Sequence, residues 1–577
     1  MKSINKIVFL FFTFLLMGSF AHYPEWKTTR KLNNDEKVKF SLILENENLE
    51  LLKDKFNNIS NPYNSMYGKY MTFDEINNII NPKHNYYENI QKENKNNNFD
   101  CIFFGDSFNC IGDVYNIEKV FDVELYEYTN KNKNVKIYKS KNDYIIPKEY
   151  LEVKFIDGLS NNLIPLSRKK NIFQNTVVDD RYYAREVVNR KYNISYNVKN
   201  NVSVVAWEFM EGGFVQNNMD ESQFYNNIKP RNVTTINGIN APDDVETDLD
   251  LEMLLNYENV NVYYGETNGW LIEGYYDMLK LALKKQLPDI ISISYGWSEY
   301  DQCSVTTCNN QTSQQYVEQS NINFLKLGLL GYTLVVSSGD AGSKGRTDEY
   351  CATKQLNPDF PGSSPYVVSV GATFTFNSNE TYNWTSPLCL KNGCVTGLET
   401  APISWDLVGW TTGGHFSGFS NASSWEVDFV DEYLNSGVYL PNASWNKYGH
   451  GVPTVAMNGH ACPVYGAYNQ QGFNEVDGTS CSAPLFAGFL SLINDYQLQK
   501  GRTKIGPVQQ LLYLLSNMDL SPFMNSGSGY TYCTEYTCCG KDGGYQTPPS
   551  QTKWNPVYGL GEPNFGLMTQ ALDNLFA

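Results

Sequence analysis

Apolar positions along the chain fall into two textures. Leu49 to Phe56 carries the spacing of an amphipathic helix, Asn58 to Thr72 reads as a loop with a Pro and a Gly, and Asp74 to Ile80 resumes a helical pattern with Thr72 as its N-cap. From Cys101 to Ile156 short β-rich pieces alternate with polar turns, which predicts a compact α+β unit. Beyond Tyr192 the apolar runs lose their alternation: Val202 to Trp207, Ile290 to Tyr295, Leu334 to Ser338 and Val367 to Val370. Helical patterns at Leu249 to Asn256, Tyr275 to Lys285 and Gln314 to Leu330 lie between them. A strand that is apolar on both sides is covered on both faces, so this alternation predicts an α/β unit with a parallel sheet flanked by helices. Between the two units, Asp157 to Asp180 holds Ser167-Arg168-Lys169-Lys170 and Asp179-Asp180-Arg181, charged stretches that suit proteolytic cleavage.

The first residues change the picture of where the protein goes. Lys2 and Lys6 precede an apolar run from Ile7 to Met17 and small residues at Ser19 and Ala21, the layout of a cleaved secretory signal, with cleavage expected after Ala21. Twelve cysteines fit that oxidising route. Cys101 with Cys110, Cys303 with Cys308 and Cys389 with Cys394 are near in sequence, and Cys351 is a long-range candidate for the Cys533, Cys538 and Cys539 cluster. Cys481 reads as a buried packing residue with a free thiol. Asn-x-Ser/Thr sequons at Asn58, Asn193, Asn201, Asn232, Asn310, Asn379, Asn383, Asn421 and Asn442 agree with a glycosylated product. A net charge of −17 over 577 residues repels phosphate backbones, which argues against a nucleic-acid partner. The apolar runs are shorter than the ~20 residues that span a bilayer, so no membrane partner is expected.

Chemistry concentrates at three turns. Gly478-Thr479-Ser480-Cys481-Ser482-Ala483-Pro484 precedes an apolar helical run, an address for a nucleophile at a helix N-terminus, although Gly-Thr-Ser is also an ordinary helix start. The strand Leu334 to Val336 runs into Ser338-Gly339-Asp340, placing a carboxylate at a strand's carboxyl end, where parallel sheets carry their sites. Glu246 and Asp250 stand four apart on a predicted helix; two acids so close do not both ionise readily, so the pair is expected to share a proton. The five histidines, His22, His84, His415, His450 and His460, lack the Gly-rich setting of a Ser-His-Asp site, so a base for Ser480 is sought among carboxylates.

Together and in order, Glu246-Thr247-Asp248-Leu249-Asp250, Ser292-Ile293-Ser294-Tyr295-Gly296, Ser338-Gly339-Asp340, Phe360 to Val367, Gly413 to Ser417 and Gly478-Thr479-Ser480 resemble the motifs of the sedolisin, or serine-carboxyl, peptidases. Ile59 to Pro62 and Tyr67 to Thr72 are similar to that family's activation domain. The resemblance implies a subtilisin-like parallel sheet flanked by helices, preceded by an α+β activation propeptide domain. It divides the chain into a signal at 1–21, an activation domain at 22–165, a linker with the processing site at 166–190 and a peptidase domain at 191–577. It implies Ser480 as nucleophile, Glu246 as general base, Asp250 as its orienting acid and Asp340 as a protonated oxyanion donor beside the Ser480 amide. Activity at acid pH on peptides or unfolded proteins follows, possible only after the propeptide, acting as inhibitor, is released in a lysosome or another acidic space. The family's calcium ion is doubtful here, since Asn525 and Asn555 stand where acids are expected, and Thr454 replaces an expected Asp. An impaired relative acting as a binding protein, and a secreted glycosidase using paired acids, are the rival readings.

Overall fold

Seven of the eight strands of the central sheet are mutually parallel. The computed structural model describes residues 26–80, 85–130, 136–159, 184–209, 212–238, 243–305, 311–377, 398–467 and 471–577. The expected signal, most of the expected linker, and Cys308, Cys389 and Cys394 lie outside those residues. The sheet elements and the helices that matter for the site are β1 (Ser203–Phe209), β2 (Thr234–Thr235), α1 (Val245–Leu255), β3 (Asn261–Thr267), α2 (Leu271–Leu283), β4 (Ile290–Ile293), α3 (Ser313–Leu329), β5 (Thr333–Ser337), β6 (Val368–Asn377), β7 (Leu398–Pro402), β8 (Val455–Asn458), β9 (Cys462–Tyr465), β10 (Phe473–Val476) and α4 (Thr479–Gln499).

Strand order is β7-β6-β5-β4-β1-β3-β2, with β8 also on β6; only β7 runs antiparallel. Central β1 aligns Ser203 to Phe209 with Asn261 to Thr267 of β3, and Val204 to Ala206 with Ile290 to Ser292 of β4. Val204, Val205, Ala206 and Trp207 are all fully buried, as a strand covered on both faces requires. One core, with Leu249, Leu254, Phe486, Phe489 and Leu490, lies on the α1/α4 side; a second, with Trp207, Ile272, Tyr276, Ile291 and Phe324, lies on the α2/α3 side. Strand β3 was not foreseen. Its sequence Asn-Val-Tyr-Tyr-Gly-Glu-Thr lacks a continuous apolar run, because polar Glu266 and Thr267 are buried at its end.

The expected α+β unit forms ahead of this body. A four-stranded antiparallel sheet, in the order Asp100–Phe103, Ser107–Asp113, Lys37–Leu44, Val153–Asp157, shares a core with helices Asn85–Asn96 and Val114–Phe121, and the unit also holds helices Leu49–Ser60 and Phe73–Ile80. Thr72 caps Phe73–Ile80 reciprocally: its Oγ1 accepts from Glu75 N at 3.3 Å and its N donates to Glu75 Oε2 at 2.7 Å. Leu52, Phe56, Ile59, Ile76 and Ile80 bury themselves against Leu325 and Leu329 of α3, which docks the unit on the body. Between them Asp106 Oδ2 and Lys326 Nζ meet at 2.5 Å, the carboxylate fully buried and the ammonium 1% exposed.

The carboxyl-terminal part of the expected linker is not open chain. Ala184–Lys191 is a helix fixed to the body: Arg185 pairs with Glu258, and Lys191 Nζ lies 2.8 Å from the buried Glu562 Oε2. Asn458 N then donates to Tyr192 Oη at 2.8 Å. Thr454 also gains a reason, since its Oγ1 accepts from Ser369 N at 3.2 Å inside the sheet and its own N donates to Ser369 O at 2.8 Å.

Candidate active site

Three acids converge at the carboxyl ends of the parallel strands. Helix α1 starts where Asp244 Oδ1 accepts from Glu246 N at 3.2 Å, and its following residues are buried throughout, Glu246 and Asp250 among them. Glu208, near the end of β1, joins the pair from below. Its carboxyl is held well above the ordinary carboxylate range, first by complete burial and then by the charges of Asp250 and Glu246, against a 3.0 Å hydrogen bond donated by Tyr295 Oη. The strand-end rule that picks out Asp340 would also have found Glu208; it was missed because a single acid closing an apolar run looks like an ordinary strand end.

Ser480 sits in the first turn of α4, 4% exposed. Gly478 before it has φ 151°, a backbone state open to glycine, and Gly459 and the strands beside it hold the turn through Gly478 N to Gly459 O at 2.9 Å. The Ser338-Gly339-Asp340 turn reaches across to it. Thr479 donates twice to Asp340 Oδ1, from N and from Oγ1, each at 2.7 Å, and Gly339 N donates to Thr479 Oγ1 at 3.2 Å. Asp340 is therefore tied through Oδ1 to the residue immediately before Ser480, while its Oδ2 faces Arg346. Gly339, at φ 103°, has no room for a side chain: a Cβ would stand 2.1 Å from Asp359 Oδ2.

Arg346 joins the two groups of acids. Its guanidinium lies 3.8 Å from Asp340 Oδ2; burial opposes its charge, and Glu535, Asp340, Asp359 and Glu246 more than offset that by reinforcing it. Asp359 is pushed up to about 7, chiefly by burial, with Arg346 opposing and Asp340 reinforcing. Nothing in Lys344-Gly345-Arg346 distinguished this cation from a solvated loop in the sequence.

Two of the body's histidines are paired with acids and the third is buried. His450 Nδ1 lies 2.8 Å from Glu426, His460 Nδ1 lies 2.7 Å from Asp477, and His415 is held neutral by burial, its basicity pushed down to about 3. One residue departs from expectation. Cys481 has no free thiol; it is bonded to Cys462, because β9 and β10 pair Cys462 with Val476 and so bring it beside the Ser480 turn. Cys101–Cys110, Cys351–Cys539 and Cys533–Cys538 are bonded as well, and Cys303 is disulfide-bonded.

The residues at the family's calcium positions do not fit a cation. Asn555 Oδ1 is buried and already accepts from Val557 N at 3.0 Å and Tyr558 N at 3.2 Å, while Asn525 is exposed. Among the described residues no group of three or more His, Cys, Asp or Glu side chains is arranged to hold a metal, and no helix is long and apolar enough to cross a membrane.

Residues 24–162 match the Pro-kumamolisin activation domain, and residues 259–513 match the Subtilase family. The chain is 29% identical to Physarolisin of Physarum polycephalum over 98% of its length and 99% of that protein's. It is 25% identical to Tripeptidyl-peptidase 1 of Dictyostelium discoideum, over 94% of this chain and 90% of that one, and 25% identical to the Homo sapiens protein of the same name, over 98% of both. Among solved structures, a Pseudomonas sedolisin (serine-carboxyl proteinase) complexed with pseudo-iodotyrostatin aligns with 65% of this chain and 92% of its own at 18% identity and a TM-score of 0.47. With an activation domain set before a subtilase body along the whole length of such relatives, the chain is a serine-type peptidase made with an activation domain.

Proposed function

We propose that the chain is a zymogen whose peptidase body hydrolyses peptide bonds at acid pH, with Ser480 as nucleophile, Glu246 as its general base, Asp250 as the acid that orients Glu246, and Asp340 as oxyanion donor. The observation that carries this reading is the double clamp of Thr479 on Asp340, which fixes a carboxyl group one residue from Ser480. Because Oδ1 is committed as an acceptor, a proton on Asp340 belongs on Oδ2, where it can be donated to the oxygen that gains charge as Ser480 attacks a carbonyl. Glu246 takes the Ser480 proton and returns it to the departing amine; Asp250 holds it in place, and Glu208, neutral in its buried setting, adds no repelling charge. Carboxyl groups do both jobs only at acid pH, so activity is assigned there and the site of action to an acidic compartment reached through the secretory route.

The substrates are peptides or unfolded chains. The names of the tripeptidyl-peptidase relatives support release of tripeptides from free N-termini, with internal cleavage as the other form of the same chemistry. The activation domain is the inhibitor, and its cleavage is assigned to the linker ahead of the Ala184–Lys191 helix, which is anchored to the body. A fluorogenic peptide assay at pH ~4 with wild-type and Ser480→Ala enzymes tests the reading, alongside labelling by a serine-directed phosphonate. Loss of turnover in the variant and a label on Ser480 are expected; turnover by Ser480→Ala would sink the assignment. Mass spectrometry of the peptides released at pH ~4 separates tripeptides from internal fragments.

A further inference from the structure

The helix that carries Ser480 begins with a defect. Pro484 lies inside α4 and has no N–H, so the Ser480 carbonyl lacks the hydrogen bond it would receive from four residues on. That carbonyl takes a 3.4 Å hydrogen bond from Ser294 Oγ instead. Gly478, at the N-cap, supplies no side-chain cap either. The first turn of α4 is therefore held in place from outside the helix.

Three clamps do this, and one of them is covalent. Thr479 is bound to Asp340, as above. Ser482 Oγ donates to the Met457 and Asn458 carbonyls, each at 3.1 Å. Between them, next to Ser480, Cys481 is bonded to Cys462, both of them buried. Cys462 opens β9 and faces Val476 at the end of β10, so the bridge spans a sequence separation of 19 and closes a loop through the hairpin, Asp477 and Gly478 back to the nucleophile turn. Asp477 is itself fixed by Trp410 Nε1 at 3.0 Å and Ala461 N at 2.8 Å. Hydrogen bonds to Thr479 and Ser482 allow the turn to rock about the intervening residues. A bond from Cys481 to an anchored hairpin removes that freedom at the residue beside Ser480.

We propose that the Cys462–Cys481 disulfide positions the Ser480 hydroxyl for attack, so that turnover depends on this bond apart from its share in stability. The inference rests on Ser480 being the nucleophile. Cys462 and Cys481 are positioning residues that act through the backbone of the turn. A displacement of about 1 Å at a reacting group costs on the order of 100-fold in rate, and substrate contacts made away from the turn keep their strength. The signature is a fall in kcat with KM little changed.

Two preparations test it: the activated double variant Cys462→Ala/Cys481→Ala, and activated wild-type enzyme treated with a water-soluble phosphine at pH ~5. The phosphine gives the disulfide two electrons, yields two thiols and becomes its oxide with oxygen from water; alkylation and peptide mapping count the bonds opened. Circular dichroism reports the folded fraction. The expected result is a kcat at least about 10-fold lower per folded molecule, KM within about 3-fold, and recovery of kcat when the reduced enzyme is reoxidised. An unchanged kcat in either preparation, or a loss that only follows the folded fraction in both, overturns the proposal. Ser480→Ala keeps the two readings apart: activity in that variant refutes the nucleophile whatever the state of the disulfide, whereas an inactive Ser480→Ala with a kcat indifferent to reduction refutes the positioning role alone.

Discussion

The buried pair between Asp106 and Lys326 makes the strongest claim about how the activation domain holds the body. Asp106 lies between Asp100–Phe103 and Ser107–Asp113, and Lys326 lies on α3; they meet at 2.5 Å with exposures of 0% and 1%, so water does not screen them. Gln319 Nε2 adds a 3.5 Å hydrogen bond to Asp106, and the Lys326 ammonium lies 5.8 Å from the centre of the Tyr275 ring. Burial lowers the basicity of Lys326, with Asp106 opposing that effect. Asp106→Leu leaves the ammonium without its counter-charge in a closed interface, at a cost of ~3–5 kcal/mol. At ~1.4 kcal/mol per factor of ten, docking weakens by roughly 100-fold or more. The double variant Asp106→Leu/Lys326→Met removes both charges and should restore docking, because the penalty belongs to the unpaired charge. Purified precursors held at pH ~6 and sampled with a fluorogenic peptide report the outcome. The single variant should become active much sooner than wild type, the double variant should return toward wild-type latency, and the mature enzymes with Lys326 intact should have equal kcat/KM. A single variant as latent as wild type, or a double variant as leaky as the single, refutes the reasoning.

Further outcomes follow from the acids. Asp359, Glu299 and Glu475 are each pushed up to about 7, mainly by burial, while in the unfolded chain they titrate near 4; the fold therefore binds extra protons between pH ~4 and ~7 and loses stability as pH rises through that window. The mature enzyme should melt at a higher temperature at pH 4.5 than at pH 7.5 by differential scanning calorimetry, and the reverse order would contradict this sign. Asp340→Ala should lower kcat by ~100 to ~1000-fold with Asp340→Asn less impaired, measured at pH ~4. Glu208→Gln should keep kcat/KM within a few-fold, because Glu208 is already uncharged in its place beside Asp250; a loss of about 100-fold would show that its charge is used.

What could be read in the chain beforehand followed the range of the signal. Val202 to Trp207 and Leu334 to Ser338 declared themselves as buried strands because burial on both faces leaves a continuous apolar run, and both lie in the middle of the sheet. Asn261 to Thr267 did not, since buried Glu266 and Thr267 interrupt its apolar run. Thr72 with Glu75 was legible because a capping box is complete within four residues. The helix at Ala184–Lys191 was read as linker: its charged residues suggest solvent, and only Glu258 and Glu562, distant in sequence, turn those charges into anchors.

The site divides along the same line, and the division explains why its chemistry was clearer than its support. Ser480, Asp340 and the Glu246/Asp250 pair each stand in a short turn or helix start whose residue types are constrained locally, so each is visible where it occurs. The groups that set their environment are constrained by what the fold brings to them. Glu208 becomes an uncharged acid only when β1 ends against α1, Arg346 becomes a shared counter-ion only when its loop turns toward Asp340, and Cys462 finds Cys481 only through the register of β9 on β10. Such residues carry no local pattern, since any strand-end glutamate, loop arginine or strand cysteine looks the same. The burial of these acids is therefore a property of the assembled sheet, and the motif residues take their surroundings from partners that no motif includes.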